Sequence, residues 1–436
     1  MLNRARAGLQ TLVAFGGVAA LEILFFVLRR LANLKLYVIE AIAVCLAAGI
    51  VYLLALFFFE HTAESRAALW LILAGAVLFR VTLLPLAPTL SDDLYRYRWD
   101  GRIQQAGWNP YSVKPDDPRL ASFRSPADPP LPGHDIPSIY PPLAELTFRT
   151  AARFLPAPVA FKLPFFAADL LTMFLLAVWL RSTGGRNFQL AIYAWNPLVV
   201  VEFAGSGHSD ALALAALVAA FVIIRSHPRV STLLLAAAAL FKSFPLLLFP
   251  AWLREAGWPR SLRAWGGGIA AAAFAAVCFW PYRSALQQIP ANMAYFETRW
   301  RDNNSSLYAL LRMFSGSPDL AAGLGVGVAV GIAVWAAARR MEPLRAAYLI
   351  VGAVLMLTPN AYSWYFTWMV PLLCFFPNPA WLLLTILQFL SYHVLIEYGI
   401  LGTWHWQPRM VFLTYAPFYA LLLWQSLRKQ SQNSAM

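Results

Sequence analysis

Residues 36–59 read LYVIEAIAVCLAAGIVYLLALFFF, with one charged side chain, Glu40. As a helix rising about 1.5 Å per residue, this stretch is long enough to cross the roughly 30 Å hydrocarbon core of a bilayer. Apolar runs of the same kind recur near 9–28, 67–88, 158–180, 188–204, 210–225, 263–281, 319–338, 344–358, 365–377, 380–397 and 409–427. Some fall short of about 20 residues, which suits broken or tilted spans. Backbone polar groups cannot be left unpaired in lipid, so the runs predict helices. The fold class expected is all-α: one polytopic transmembrane helix bundle of about twelve to thirteen spans, a single domain over 1–436.

Composition supports this. Hydrophobic residues make up 60% of the chain and charged residues 13%, against roughly a quarter charged in soluble proteins. Aromatics reach 15%, as suits rings placed at headgroup level. The net charge of +13 does not point to nucleic acid, because Lys and Arg sit in short clusters between apolar runs, as cytoplasmic anchors do. Cys45, Cys278 and Cys374 lie inside apolar segments and read as core residues, with neither a disulfide framework nor a zinc site. The first run lacks a small-residue cleavage site and reads as a retained anchor.

The basic clusters orient the bundle. Arg181/Arg186, Arg225/Arg229, Arg254/Arg260/Arg263, Arg339/Arg340/Arg345 and Arg428/Lys429 are all expected to be cytoplasmic. They agree if 229–253, interrupted by Lys242, Ser243 and Pro245, is a re-entrant hairpin rather than a kinked span. The loops 89–157, 205–209, 282–305, 359–364 and 398–408 then share the opposite face and hold nearly all the unusual polar residues. Arg29, Arg30 and Lys35 fall on that face too, against the trend.

Loop 89–157 carries the strongest local signal, Ser91-Asp92-Asp93-Leu94-Tyr95-Arg96-Tyr97-Arg98-Trp99-Asp100-Gly101. Adjacent carboxylates just beyond a span are costly near lipid and are functional candidates. The plain alternative is that Ser91 or Asp92 caps a helix beginning at Leu94. Arg96 and Arg98 are placed to pair with acids or bind phosphate, and Asp100 lies one helical interval from Arg96. The Pro-rich middle of the loop excludes one regular helix; helices lying along the membrane surface are expected, with an amphipathic piece near 143–155.

Further candidates follow. Asn109-Pro110-Tyr111 and Tyr140-Pro141-Pro142 are turns, with Glu145 near the start of the next helix, where the dipole alone would favour it. Asn196-Pro197 interrupts an apolar run, and Gly205-Ser206-Gly207-His208-Ser209-Asp210 offers His208 and Asp210 for sugar hydroxyls or phosphate. Lys242 is a cation inside an apolar stretch and needs a counter-charge or a phosphate, unless it snorkels. Loop 295–305, with Arg299, Arg301 and Asp302, mixes charges, aromatics and amides suited to carbohydrate. Pro359-Asn360-Ala361-Tyr362-Ser363-Trp364-Tyr365 lies on the same face, where aromatic anchoring is the plain reading.

Taken in order, these elements resemble the GT-C class of polytopic glycosyltransferases, and more narrowly the bacterial polyprenol-phosphate-mannose-dependent mannosyltransferases. The likeness runs from about 90 to 250 and rests on Asp92-Asp93, Tyr95, Arg98-Trp99-Asp100-Gly101, Asn109-Pro110-Tyr111, Tyr140-Pro141-Pro142, Trp195-Asn196-Pro197, Gly207-His208-Ser209-Asp210 and Lys242 with Pro245. It implies transfer of a sugar, mannose, from a polyprenyl-phosphate donor to a lipid or glycan acceptor on the extracytoplasmic side of the plasma membrane, with inversion. Asp92 or Asp93 would be the general base. Lys242, Arg299 and Arg301 are the candidates for steadying the departing phosphate, and His208, Asp210, Tyr140, Glu145 and Arg98 for holding donor phosphate or sugar. No cofactor and no metal are expected, since a monophosphate leaving group needs less help than a diphosphate. One departure stands out: some relatives carry a His before a Trp-Tyr pair, whereas this chain has Tyr362-Ser363-Trp364-Tyr365.

The competing reading is a transporter or flippase of a lipid-linked or amphiphilic solute, which would also explain broken helices and a buried Lys. It predicts inverted repeats, which the sequence lacks, and leaves the long loop without a purpose. A lipid-phosphate or acyl transferase would place an acidic or His motif among the cytoplasmic loops, which hold little besides Arg, Gly and Pro.

Overall fold

A computed structural model describes residues 2–124, 131–301 and 303–434; Pro126, Pro129, Pro130 and Asp302 lie outside the described residues. Helix accounts for 76% of the chain and no strand occurs among the described residues, so the protein is an all-α polytopic bundle. Among the described residues, eight helices are long and apolar enough to cross a membrane: Arg6–Arg30, Val38–His61, Arg66–Leu83, Pro158–Ser182, Ala264–Ala285, Pro318–Ala338, Pro379–Tyr398 and Pro408–Arg428. Pro197–Ser206, Asp210–Ile223, Pro228–Phe241 and Pro343–Leu357 are apolar but shorter.

The short ones surround the polar interior. Run 188–204 breaks where Asn196 caps a new turn begun by Pro197, its Oδ1 accepting from Leu198 N and Val199 N. Its amide also donates to Thr385 Oγ1 at 3.1 Å, and Trp195 Nε1 donates to Ile72 O. The Trp195-Asn196-Pro197 motif is therefore a packing device. Run 365–377 forms a 3-10 helix, Ser363–Trp368, and one short α turn, Val370–Leu373, rather than a continuous span. Both are buried by the helices around them.

Helices α1 (Leu2–Arg30), α2 (Val38–His61) and α3 (Arg66–Leu83) pack together at the N-terminus. The loop between α1 and α2 is tied to the chain that follows α3 by Leu34 N donating to Thr89 Oγ1 at 2.8 Å. The long loop holds α4 (Asp93–Gln105) and α5 (Pro142–Phe154), packed against each other. The amphipathic piece expected near 143–155 is α5, which buries Ala144, Phe148 and Ala151, an i, i+4, i+7 stripe. Gly101 permits the close approach of α4 and α5, because a Cβ there would lie 2.3 Å from Phe148 O.

Helix Asp210–Ile223 packs beside Pro228–Phe241. The chain breaks at Lys242 and doubles back, so that Trp252 Nε1 donates to Ser231 Oγ at 3.0 Å. Lys242 thus sits at the tip of a hairpin, beside Asp210. A second buried cation, Lys162, donates to Leu86 O at 2.5 Å, to Leu84 O and Ala204 O at 3.2 Å each, and to Gly205 O. It pins the segment leading to Asp92 and Asp93 against the segment leading to His208.

Candidate active site

These tethers enclose a cavity of about 420 Å³ whose wall includes Asp92, Asp93, Tyr140, Lys242, Trp364 and Lys35. Asp92 is the N-cap position of α4, yet its side chain makes no capping bond. It faces Lys35 instead, with Nζ to Oδ2 at 2.5 Å. This explains why Lys35 stood against the charge trend: it is the counter-ion of a cavity carboxylate. Ser91 Oγ accepts from Asp93 N at 3.3 Å.

Asp93 points the other way. Its Oδ2 lies 3.4 Å from Tyr97 OH and 3.8 Å from His208 Nδ1. Burial lifts its carboxyl above the ordinary Asp range; His208 and Lys242 pull it back, while Asp210 and Asp92 push it further up. With 23% of its side chain exposed, it remains open to the cavity.

His208 is buried and forms no part of the cavity wall. The chain reaches it through a π turn, Val201–Ser206, ended by Gly207 at φ 77°, a left-handed value natural to glycine. The turn brings Glu202 Oε2 to 3.3 Å from His208 Nε2. Trp364 stacks on the imidazole at 4.2 Å, and Tyr362 stacks on Trp364 at 4.7 Å. Asp210 accepts from Trp368 Nε1 at 2.7 Å and holds Lys242 Nζ at 3.3 Å. The ammonium lies 4.8 Å from the Tyr365 ring centre and 5.8 Å from that of Trp368, within cation–π range.

Besides His208 and Asp210, four sequence candidates lie outside the cavity wall. Glu145 is fully buried and accepts from Gln104 Nε2 at 2.7 Å and from Ser138 Oγ. Burial and then repulsion by Asp100 hold its carboxyl well above the usual carboxylate range. Arg98 donates to Pro156 O at 2.8 Å. Arg299 pairs with Asp135 at 3.5 Å, and Arg301 with Asp319 at 2.7 Å. Arg96 does reach the wall, but it is taken up by Asp100 at 3.0 Å and by the carbonyls of Gly133 and Ile136 at 2.6 and 3.1 Å; it folds the loop. Tyr140 remains on the wall, its carbonyl accepting from Tyr111 OH at 2.5 Å, which gives the Asn109-Pro110-Tyr111 turn its purpose. Among the described residues no three His, Cys, Asp or Glu side chains are arranged to hold a metal ion.

A family model described as alpha-(1->6)-mannopyranosyltransferase, N-terminal domain, matches residues 9–254, more than half of the chain. The chain belongs to that family. This decides for an enzyme over a transporter: the protein is a membrane mannosyltransferase, acting in the bilayer on a sugar donor and an acceptor. No curated protein and no solved structure matches it.

The matched stretch of the mannosyltransferase contains Lys35, Asp92, Asp93, Glu202, His208, Asp210 and Lys242. Sequence reasoning did not assign Lys35 or Glu202 to the site. Glu202, an acid inside an apolar run, carried the same signal as Lys242. Lys35 was hidden because a loop lysine ordinarily reads as an anchor. Chemically, the mannosyltransferase's cavity combines an accessible carboxylate of raised basicity with two ammonium groups and an aromatic wall.

Proposed function

We propose that this mannosyltransferase moves mannose from a polyprenyl-phosphate donor to a hydroxyl of a lipid or glycan acceptor, with inversion, at the extracytoplasmic face of the plasma membrane. The observation that carries the reading is the juxtaposition of Asp93 with Lys35 and Lys242 in one cavity. Asp93 is the base: its carboxyl is lifted by burial and no lysine is bonded to it, whereas Asp92 spends its carboxylate on Lys35. A general base needs a pKa raised toward the working pH and hydrogen-bond reach of the proton it removes.

In the reaction, Asp93 takes the acceptor's hydroxyl proton and the freed oxygen bonds to the anomeric carbon. The bond from that carbon to the donor phosphate breaks, its electron pair leaving with the phosphate. Lys35 and Lys242 balance the charge that develops there, each exchanging its resting carboxylate for the phosphate. An alpha-1,6 product formed by inversion calls for a β-linked donor. The aromatic wall of Tyr362, Trp364 and Trp404 suits the apolar faces of sugar rings. Helix Asp210–Ile223 supports the extracytoplasmic orientation: Asp210 stands beside Lys242 of the cavity and Arg225 just beyond the opposite end, and basic ends favour the cytoplasm.

The test is transfer of radiolabelled mannose from polyprenyl-phosphate mannose by purified protein in native lipid, with an extract of lipid and glycan acceptors. Wild type should transfer, and Asp93→Asn should lose transfer while keeping its fold and donor binding. Full activity in that variant would remove Asp93 as the base, and an inert wild type with competent acceptor would remove the donor assignment.

A further inference from the structure

Besides Tyr97 of its own helix, Asp93 has neighbours deeper in the bundle. Asp93 sits on the first turn of α4, and behind it lies His208 of the π turn, 1% exposed. Behind His208 lies Glu202, 0% exposed. The three form a file from cavity to interior: Asp93 Oδ2 to His208 Nδ1 at 3.8 Å, then His208 Nε2 to Glu202 Oε2 at 3.3 Å.

Every feature around this file holds it in place. Glu202 Oε1 accepts from Ser363 Oγ at 2.8 Å and from Tyr392 OH, so two hydroxyls from the C-terminal third of the chain fix that carboxylate. Its other oxygen and both ring nitrogens of His208 make no hydrogen bond of good geometry among the described residues. Buried polar atoms are rarely left so; these face one another. Trp364 covers the ring face, leaving the imidazole only edge-on contacts with the two carboxylates. The π turn and the left-handed Gly207 that ends it make this arrangement: Gly207 N and His208 N both donate to Glu202 O, the latter at 3.0 Å, which brings the two side chains together. Such turns recur at functional sites.

We propose that His208 and Glu202 are positioning residues for Asp93: Glu202 orients the imidazole, and the imidazole fixes the Asp93 carboxylate. The proposal rests on the reading of Asp93 as the base. Neither residue touches the sugar. His208 is thereby moved from donor binding, expected from the sequence, to support of the base. A second-sphere group that sets the geometry of a reacting one is worth large factors, since misplacement by about 1 Å costs about 100-fold. The other titratable groups facing this file are Asp92, Tyr97 and Tyr140 on the loop side, Asp210 and Lys242 beside the cavity, Lys162 beneath Gly207, Cys45 beside Glu202, and Tyr365 and Tyr392 from the C-terminal segments. None of them is changed in the test.

The experiment uses the full chain in lipid, with polyprenyl-phosphate mannose as donor, and measures kcat, donor KM and the pH dependence of kcat for wild type, His208→Gln, Glu202→Gln and Asp93→Asn. His208→Gln should lower kcat by about 10- to 100-fold, move donor KM by less than about threefold, and shift the acid limb of the kcat profile upward, because a positive influence on Asp93 is lost. Glu202→Gln should shift the limb the same way by less, and the double variant should be no worse than His208→Gln alone, as for residues acting as a unit. A purely structural role would lower active fraction and leave the limb in place. If Asp93→Asn is dead and both other variants keep the wild-type limb, the positioning role is overturned while the base stands. If His208→Gln raises only donor KM, His208 binds donor and the proposal falls. If Asp93→Asn transfers normally, the base assignment itself fails and takes the proposal with it. Should His208→Gln not fold, Glu202→Gln decides by the same limb.

Discussion

Lys35 Nζ and Asp92 Oδ2 are 2.5 Å apart across the cavity mouth, on loops separated by two membrane helices. Under the proposed mechanism the pair divides the labour of two adjacent aspartates: Asp92 is committed to a cation and Asp93 is left for chemistry. A partly exposed lysine of this kind can leave its carboxylate for a phosphate. Lys35→Met should therefore raise donor KM by about tenfold, as for loss of one charged hydrogen bond, with a smaller effect on kcat. Lys35→Arg should recover much of the loss. Steady-state kinetics against donor concentration checks this, and an unchanged KM would remove Lys35 from the donor site.

As the proposed base, Asp93 should set the pH response. Its carboxyl is lifted above the ordinary value of 3.8, chiefly by burial, and only the ionised form accepts a proton. Activity should fall as pH drops through the raised value, and hold level above it. Asp92→Asn removes a negative neighbour, so the acid limb should move down. Lys242→Met removes a positive neighbour, so the limb should move up. Asp93→Asn should cost about 100- to 10,000-fold above the acid limb, and less below it, where the wild-type base is itself protonated. Profiles of kcat/KM for the four proteins measure all of this, and a limb unmoved by either neighbour would exclude Asp93 as its source.

The bundle was legible because lipid imposes one rule on every span, and runs such as 36–59 obey it visibly. The Asp pair and Lys242 were legible for the converse reason, as charges where charge is costly. What could not be read was pairing at a distance. Lys35 meets Asp92 only because Leu34 and Thr89 join two loops. His208 meets Glu202 only because a π turn replaces the α repeat, so the sidedness expected of an α-helix does not hold there. Arg98, Arg299 and Arg301 illustrate the opposite failure: cationic side chains on the right loops, whose guanidinium groups the fold turns toward Pro156 O, Asp135 and Asp319.

Glu145 is part of the scaffold behind α4. Burial holds its carboxyl far above the usual carboxylate range, which favours the neutral form, and its neighbours Gln104 and Ser138 bond to it as to an amide-sized group. Glu145→Gln should therefore leave transfer and thermal stability close to wild type. Glu145→Ala should leave two buried polar partners unpaired, at about 1–3 kcal/mol each, and lower the unfolding temperature in detergent. Equal damage from both substitutions would show that the carboxylate charge is needed.

The arginines give the sharpest contrast with the lysines. Arg299 and Arg301 carry charge on the loop nearest the cavity, yet neither forms its wall, and each is engaged by an acid. The exposed pair of Arg299 with Asp135 contributes about 1 kcal/mol or less to stability. Arg299→Ala and Arg301→Ala should keep donor KM within about threefold of wild type, since uniform binding is lost only when a contact with substrate is lost. Lys242→Met should raise it by about tenfold or more, because it removes a partly buried cation that the departing phosphate needs. Measured side by side, a large KM effect at either arginine with none at Lys242 would move the phosphate site from the hairpin tip to loop 295–305.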